Sequence, residues 1–531
     1  MTNKITSIVS IASIGSIVSI VSIAPIKAQA QEGNYRYADA TQLWRLTDNA
    51  AGLSLDANDV RNYDRGFAEF DLQHREGDYR RVQEGGQRNQ LSFLTERYQR
   101  VGKYLVGYGR FLFDMDRTKD RAWCDVMRPY NSNPFFGGSA VHGKYDTQQF
   151  DLSAALGTVD FSGFRFGSRL DYKVSDLSRL RDPRSRSELL QYRLTPAVTY
   201  TAGYHTIGLS GHYDRRKEKI PNMTTVQQDP NLMYYQMTGM EQATGIIGGY
   251  SGYNREWVNH QFGAQLAYGY NKTLLSSASS QFPLFKSLTT IGIACGVEDV
   301  WGTYKYEPGR YTSYIYNIAS HNRLDTGHLL HQLDLDIVFT EGYADEYRQM
   351  LIQERDAEKG YTSYRYETQI EYRKRYQVKT HDATLHYRLS TLSGTAVRSY
   401  VGAAASLQGA SNKHLLPNSQ LECQRLNASF EGGYGFFGSR LWLDATVTYS
   451  HATKADIALA EVTEYGTQVL LPDMDFYRSD YWRGQLSLKY TFPLTISGTH
   501  STAYAKVYAD GIKADNNLES KTLGLSFGII Y

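Results

Sequence analysis

From Leu523 the chain reads Leu-Gly-Leu-Ser-Phe-Gly-Ile-Ile-Tyr, which sets Leu523, Leu525, Phe527, Ile529 and Tyr531 on one face of an extended strand, with mostly glycine or serine on the other. Side chains of a strand alternate between its two faces. A bulky apolar row against a small or polar row is the pattern of a strand with hydrocarbon on one side and water on the other. A chain whose last aromatic lies within such a strand is expected to zip that strand against the first one, leaving no open edge.

The same texture recurs upstream. Phe150, Leu152, Ala154 and Leu156 oppose Gln149, Asp151, Ser153 and Gly157, and Phe164, Phe166, Leu170, Tyr172 and Val174 oppose Arg165, Arg169, Asp171 and Lys173. Phe262, Ala264, Leu266 and Tyr268 repeat it against Gln261, Gly263, Gln265 and Gly269. A two-layer sandwich would need all these apolar faces to share one core, whereas a barrel turns each of them outward. The expected fold is therefore all-β, a transmembrane antiparallel β-barrel of about 18 strands, or of roughly 14 to 16 if the segments near 288–321 are loop. Tight connections such as Ala202-Gly203-Tyr204-His205 are expected at the periplasmic end, and the long ones, 114–146, 218–256, 342–362 and 451–476, on the outside. Between Tyr376 and Ala383 the apolar row changes from even to odd numbers, which predicts a β-bulge near Lys379 to Asp382.

Three regions follow. Residues 1–30 combine Lys4, an apolar stretch and Ala28-Gln29-Ala30, the features of a secretory signal peptide. Residues 31–63 do not alternate; Leu43, Trp44, Leu46 and Leu53 suggest a short helical segment that either plugs the lumen or hangs as a periplasmic tail. Residues 64–531 form the barrel. Beyond the leader no apolar run is long enough for a membrane helix. With 43 Tyr and 46 Gly against 12 Pro, the composition suits strands with interfacial aromatics. The 57 basic and 55 acidic residues balance once Lys4 and Lys27 of the leader are set aside, so nothing calls for nucleic acid. Cys124, Cys295 and Cys423 are far apart, allow at most one disulfide and suggest no metal; no cofactor is expected.

Apparent catalytic motifs fail on context. Gly524-Leu525-Ser526-Phe527-Gly528 has the spacing of a nucleophile elbow, but that motif needs a strand-to-helix turn with acid and histidine downstream, and only three residues follow. Gly432-Gly433-Tyr434-Gly435 is followed by no helix that would hold a phosphate. An enzyme is not expected.

The inward rows carry the functional signal. Arg165, Arg169, Asp171, Lys173, Arg193, Asp444, Arg483 and Lys489 are the candidate lumen-lining residues, either a ring that selects anionic solutes or a network neutralised by its own carboxylates. Met223, Met233, Met237 and Met240, with Tyr234 and Tyr235, cluster in the 218–256 loop as candidates for gripping an apolar ligand or partner, or for plain loop packing. The leading expectation is a channel or transporter, passive or partner-assisted, in the outer membrane of a Gram-negative bacterium. The second is a non-conducting accessory subunit that binds an outer-membrane receptor or lipoprotein through its loops, and the third an enzyme barrel. Expected partners are outer-membrane lipid and the barrel-assembly machinery, the latter through the strand ending at Tyr531.

The leader, the Leu-Trp-Arg-Leu-Thr-Asp-Asn-Ala-Ala-Gly segment at 43–52, the Gly-Tyr-Ser-Gly-Tyr-Asn-Arg-Glu-Trp run at 249–257 and the terminal strand resemble an uncharacterised outer-membrane β-barrel protein family of the Bacteroidota. The resemblance spans the chain after the leader and implies location and fold. It brings no catalytic residues.

Overall fold

A computed structural model describes residues 31–57, 64–130, 132–223, 232–247, 253–272, 283–355, 360, 362–496 and 499–531. The expected signal peptide lies outside the described residues. In the first half of the chain the strands are β1 (Arg65–Gly77), β2 (Gln87–Val101), β3 (Leu105–Arg121), β4 (Gly137–Gly138), β5 (Gly143–Thr158), β6 (Phe164–Arg179), β7 (Arg186–Ala202), β8 (His205–Met223), β9 (Met233–Gly239), β10 (Gln242–Ile247) and β11 (Tyr253–Asn271). The second half adds β12 (Leu284–Gly302), β13 (Gly309–Asp325), β14 (Leu329–Arg355), β15 (Thr362–Ser393), β16 (Ala396–Leu415), β17 (Asn418–Phe436), β18 (Leu441–Ala458), β19 (Tyr481–Ile496), β20 (Thr499–Ala514) and β21 (Glu519–Ile530). Helices are α1 (Gln31–Thr41), α2 (Leu53–Ala57) and α3 (Leu471–Arg478).

Among the described residues, eighteen of these strands form one antiparallel sheet that closes on itself, and β4, β9 and β10 form a small separate sheet. Closure is made by β21, which pairs with β20 on one edge and with β1 on the other, from Phe67 opposite Ile530 to Gly77 opposite Ser520. Every N–H and C=O of the wall can then bond within the ring, the condition for crossing hydrocarbon with strands. No helix among the described residues is long and apolar enough to cross a membrane.

The outward row has no protein against it. Phe262 exposes 63 % of its surface and Phe430 70 %, and Phe70, Leu152, Ile291, Leu486 and Phe527 stand on the same outer face. Such a band on a closed barrel belongs against lipid tails; the chain is an outer-membrane barrel. The segments between 288 and 321 are strand, in β12 and β13.

Two expectations of detail are corrected. The region 342–362 is largely strand, because β14 and β15 stay paired out to Arg355 opposite Thr362. Above the lipid a strand needs no apolar row, so alternation fades there while backbone pairing continues. Against β14, β15 bulges at Gln369 and again at Arg373 to Arg375, where Tyr372 faces Glu346 and Tyr376 faces Ala344, and not at 379–382. Lys374 takes φ of 50° in that bulge. The even-numbered Tyr376 and Val378 turn inward and are buried at the outer mouth, while the odd-numbered Leu385 and Tyr387 below them face out. The row changes its environment without changing its phase. No disulfide forms among the three cysteines.

A charge placed on the lipid side should be costly and one placed on the lumen side should not. Phe70→Arg should lower the stability of the vesicle-inserted barrel by about 2–4 kcal/mol in denaturant titrations if Phe70 lies near mid-bilayer. Gln73→Arg, whose side chain lines a cavity inside, should change it far less.

Candidate functional site

The inner face of the barrel is occupied at the end that carries the short turns, which in such barrels faces the periplasm. Residues 31–57 fold as α1, short 3-10 turns at Leu43–Leu46 and Ala50–Gly52, and α2. Asn49 starts the second turn, its side-chain oxygen accepting the N–H of Ala51 at 3.1 Å. Leu43, Trp44 and Leu55 are buried against Ala267 and Leu288 of the wall, and Ala50, Leu53 and Ala57 against Tyr98, Val106 and Ala155. The wall makes room for them. A Cβ on Gly157 would lie 2.2 Å from the carbonyl oxygen of Ala50, and one on Gly167 2.4 Å from the nitrogen of Ala51. The segment is therefore a plug that fits inside the wall.

Charge fastens the same segment. Arg36 makes a two-pronged contact with Asp444, 2.9 Å in each prong. Lys489 reaches Glu32 at 2.8 Å, and Asp48 is shared between Arg169 at 3.3 Å and Arg193 at 3.1 Å. Arg65 pairs with Asp39 as well. Tyr37 donates to Asp325 at 2.6 Å, and Arg323 to the carbonyl of Ala40 at 2.6 Å.

At the outer end the loops fold inward into a cap. Trp123 lies 4.6 Å from the Tyr235 ring and 5.4 Å from that of Tyr465, centroid to centroid. Phe135, Tyr234, Met240 and Met474 join inward residues of the wall, Ile220, Trp257, Val300, Tyr311, Tyr376 and Leu421, in an apolar core across the mouth. Met223, Tyr234, Tyr235, Met237 and Met240 are all buried in this packing; Met233 is exposed. The methionine and tyrosine cluster thus packs the cap instead of presenting itself to a ligand from outside.

The inward cations foreseen from the sequence all lie on the lumen side, and most are paired. Arg165 faces Asp160 at 2.8 Å, Arg169 also faces Asp171 at 2.9 Å, and Arg483 is hydrogen-bonded to Asp510 at 3.0 Å. Four of the eight candidates, Arg169, Arg193, Asp444 and Lys489, hold the plug, a role not read from the sequence. The complementary charges of Glu32, Arg36 and Asp48 in the non-alternating segment were the available signal. Among the described residues Lys173, alone of the eight, lacks an ion pair, and it opens onto a cavity of about 290 Å³ that also meets Arg75, Arg88 and Arg128. A second cavity, of about 600 Å³, adjoins it and shares Arg75 and Arg88. Ser526 of the apparent nucleophile elbow sits within β21 and donates to Asp71 at 2.6 Å, as a structural strand residue does. Among the described residues no group of three or more His, Cys, Asp or Glu is arranged to hold a metal.

One acid of the cap is sensitive to pH. Asp473 of α3 accepts from the Tyr130 hydroxyl at 2.5 Å and from the Val82 N–H at 2.8 Å. Burial pushes its pKa up from 3.8 to about 6, against the opposing effect of those two bonds. The folded cap thus binds this proton more tightly than the open one, so its contribution is full below about pH 4 and fades as pH rises through 6. Hydrogen-exchange protection of 78–86 and 471–478, corrected for intrinsic rates, should fall between pH 4 and 7, and Asp473→Asn should flatten the dependence.

No curated protein matches the chain in sequence. Among solved structures it is similar to the outer-membrane transporter YddB from Escherichia coli, at 10 % identity and TM-score 0.40 over 89 % of this chain and 81 % of that one. It is also similar to the ferric-catecholate import receptor Fiu from E. coli K12, at 9 % identity and TM-score 0.39 over 89 % and 82 %. A third is the siderophore receptor PiuA from Acinetobacter baumannii, at 9 % identity and TM-score 0.37 over 88 % and 82 %. Sequence similarity of another kind covers the whole barrel and the end of the plug: residues 50–531 match the model of the family of unknown function DUF6850, and the chain belongs to that family.

Proposed function

We propose that the protein is a gated conduit of the outer membrane, closed at rest by residues 31–57 and opened when a solute or a partner displaces them. The observation that carries this reading is the contrast within the lumen: a fitted plug at one end, a folded cap at the other, and cavities of about 290 and 600 Å³ lined by polar and charged side chains between them. A barrel serving only as a scaffold has no need of such space. Solute passes without chemical change, and no reaction is proposed.

The forces on the plug set how it opens. Partly exposed ion pairs such as Asp48 with Arg193 contribute about 0–1 kcal/mol each. Burying Leu43, Trp44, Leu53 and Leu55 contributes roughly 1.5–3 kcal/mol each. The apolar anchors therefore hold the plug and the charges set its position. A second reading is favoured by the β14–β15 pair, which continues beyond the last β13 contact at Glu346 and the last β16 contact at Tyr376. This two-stranded ribbon extends about 30 Å at the usual rise per residue and exposes Leu351, Tyr364 and Ile370, a surface for a receptor or lipoprotein. Co-purification with such a partner, lost when the ribbon is shortened, would favour it.

In planar bilayers the native chain should be mostly silent. Trp44→Ala, which empties the main anchor, should give frequent stepwise openings, and Asp48→Asn fewer. If Trp44→Ala combined with Leu55→Ala is as silent as the native chain, the conduit reading is wrong.

A further inference from the structure

The two cavities form one chamber on the side of the barrel made by β1 to β3, β5 to β7 and β18 to β21, between the cap and the plug. Inside a barrel, charged side chains usually settle into pairs, and most here do. Arg88 is bonded to Asp116 at 2.9 Å and lies 3.9 Å from Asp114. Glu84 is held by Arg81 at 2.7 Å, Asp510 by Arg483, and Asp444 by Arg36 of the plug. The carboxylates of the chamber are thus already engaged.

Arg121, also in the lining, is engaged by the carbonyl oxygens of Cys124 and Val126, and four cations remain. Arg75, Lys173, Lys506 and Arg128 have no carboxylate within the 4.0 Å of an ion pair among the described residues. Arg75 lines both cavities, Lys173 and Arg128 the smaller, Lys506 the larger. Arg128 comes from the cap loop and has one hydrogen bond, to Gln191 at 3.4 Å. Burial and the neighbouring Arg216 lower its pKa, the sign of a guanidinium set among too few anions. Like charges gathered in a confined space of reduced dielectric repel one another, and an entering anion relieves that repulsion.

The rest of the wall defines what else the anion carries. Thr147, Gln149, Ser175, Gln485, Ser487 and Thr522 line the chamber with hydroxyls and amides, which suit hydroxyl groups better than an apolar skeleton. The volumes are those of small-molecule sites, typically about 300–1,000 Å³. We propose that this chamber binds small, hydroxylated anions, sugar-sized solutes bearing phosphate or carboxylate groups, through Arg75, Lys173, Lys506 and Arg128. This deepens the conduit reading by naming its solute class and rests on it for the direction of travel.

Binding and passage are tested separately. The full chain in detergent is titrated calorimetrically with glucose 6-phosphate, gluconate and glucose. At least one of the two anions should bind, more weakly as salt is raised, and glucose should bind at least about tenfold more weakly than that anion, the scale of losing a charge-assisted contact. Tighter binding of glucose 6-phosphate than of gluconate assigns the site to phosphates, and the reverse assigns it to carboxylates. Arg75→Gln with Lys173→Gln should weaken the preferred anion by about tenfold or more. Arg117→Gln, whose residue pairs with Asp146 outside the chamber, should not. Heat-modifiable migration on gels confirms that the variants are folded, and the comparison of probes on the native chain needs no variant. No binding of either anion, glucose binding as tightly as the anions, or undiminished anion binding in the folded double variant overturns the proposal. Anion binding in a barrel that Trp44→Ala combined with Leu55→Ala fails to open leaves the site standing and removes the conduit reading; opening without anion binding does the reverse.

Discussion

A chain inside hydrocarbon has no water to bond its backbone, so each N–H and C=O must find a partner in the protein itself. The ladder between β1 and β21 meets that condition for the whole molecule, because it turns an open sheet with two raw edges into a ring with none. Once the ring closes, its two faces have different solvents. The outer row is apolar wherever it meets lipid, and the inner row is free to be charged. Strand length follows too: about 9–11 residues cross the bilayer, and the remainder of β14 and β15 stands above it as a polar ribbon.

The interior is then filled by two different kinds of chemistry. The cap is an apolar core of Trp257, Tyr311, Tyr376 and loop residues such as Tyr234 and Met474, built much like the core of a soluble domain. The plug combines a few apolar anchors with ion pairs to Asp444, Lys489, Arg169 and Arg193, which water can replace. An element with exchangeable contacts at its rim and glycines beneath its backbone is suited to leaving its seat as a unit. Between the two, where carboxylates run out, unpaired cations line the remaining space.

Much of the fold was legible because alternation reports solvent directly. Phe164 to Val174 and Leu523 to Tyr531 told lipid side from lumen side residue by residue, and the strand number followed from the number of such segments. The bulge was misplaced because Tyr376 and Val378 read as part of an outward row, when the cap gives them an inward apolar neighbour. The long outer strands were read as loop for a related reason, since above the bilayer nothing enforces alternation. That the inward charges neutralise one another was legible as an alternative, but which charge meets which was not. Asp48 lies more than a hundred residues from Arg169, and Arg36 about four hundred from Asp444; only the register of the closed ring brings them together.

The central claim is that residues 31–57 occupy the lumen in the resting barrel. Asn34 and Thr395 approach to 3.5 Å between side-chain oxygens, one on the plug and one at the β15–β16 turn. With cysteine placed at both positions, mild oxidation of native outer membranes should join them in nearly every molecule, and the joined barrel should stay shut in a bilayer until reduced. A pair that fails to cross-link under oxidation, while a control pair across the β1–β21 ladder does, would show that the segment lies outside the barrel and would contradict the account.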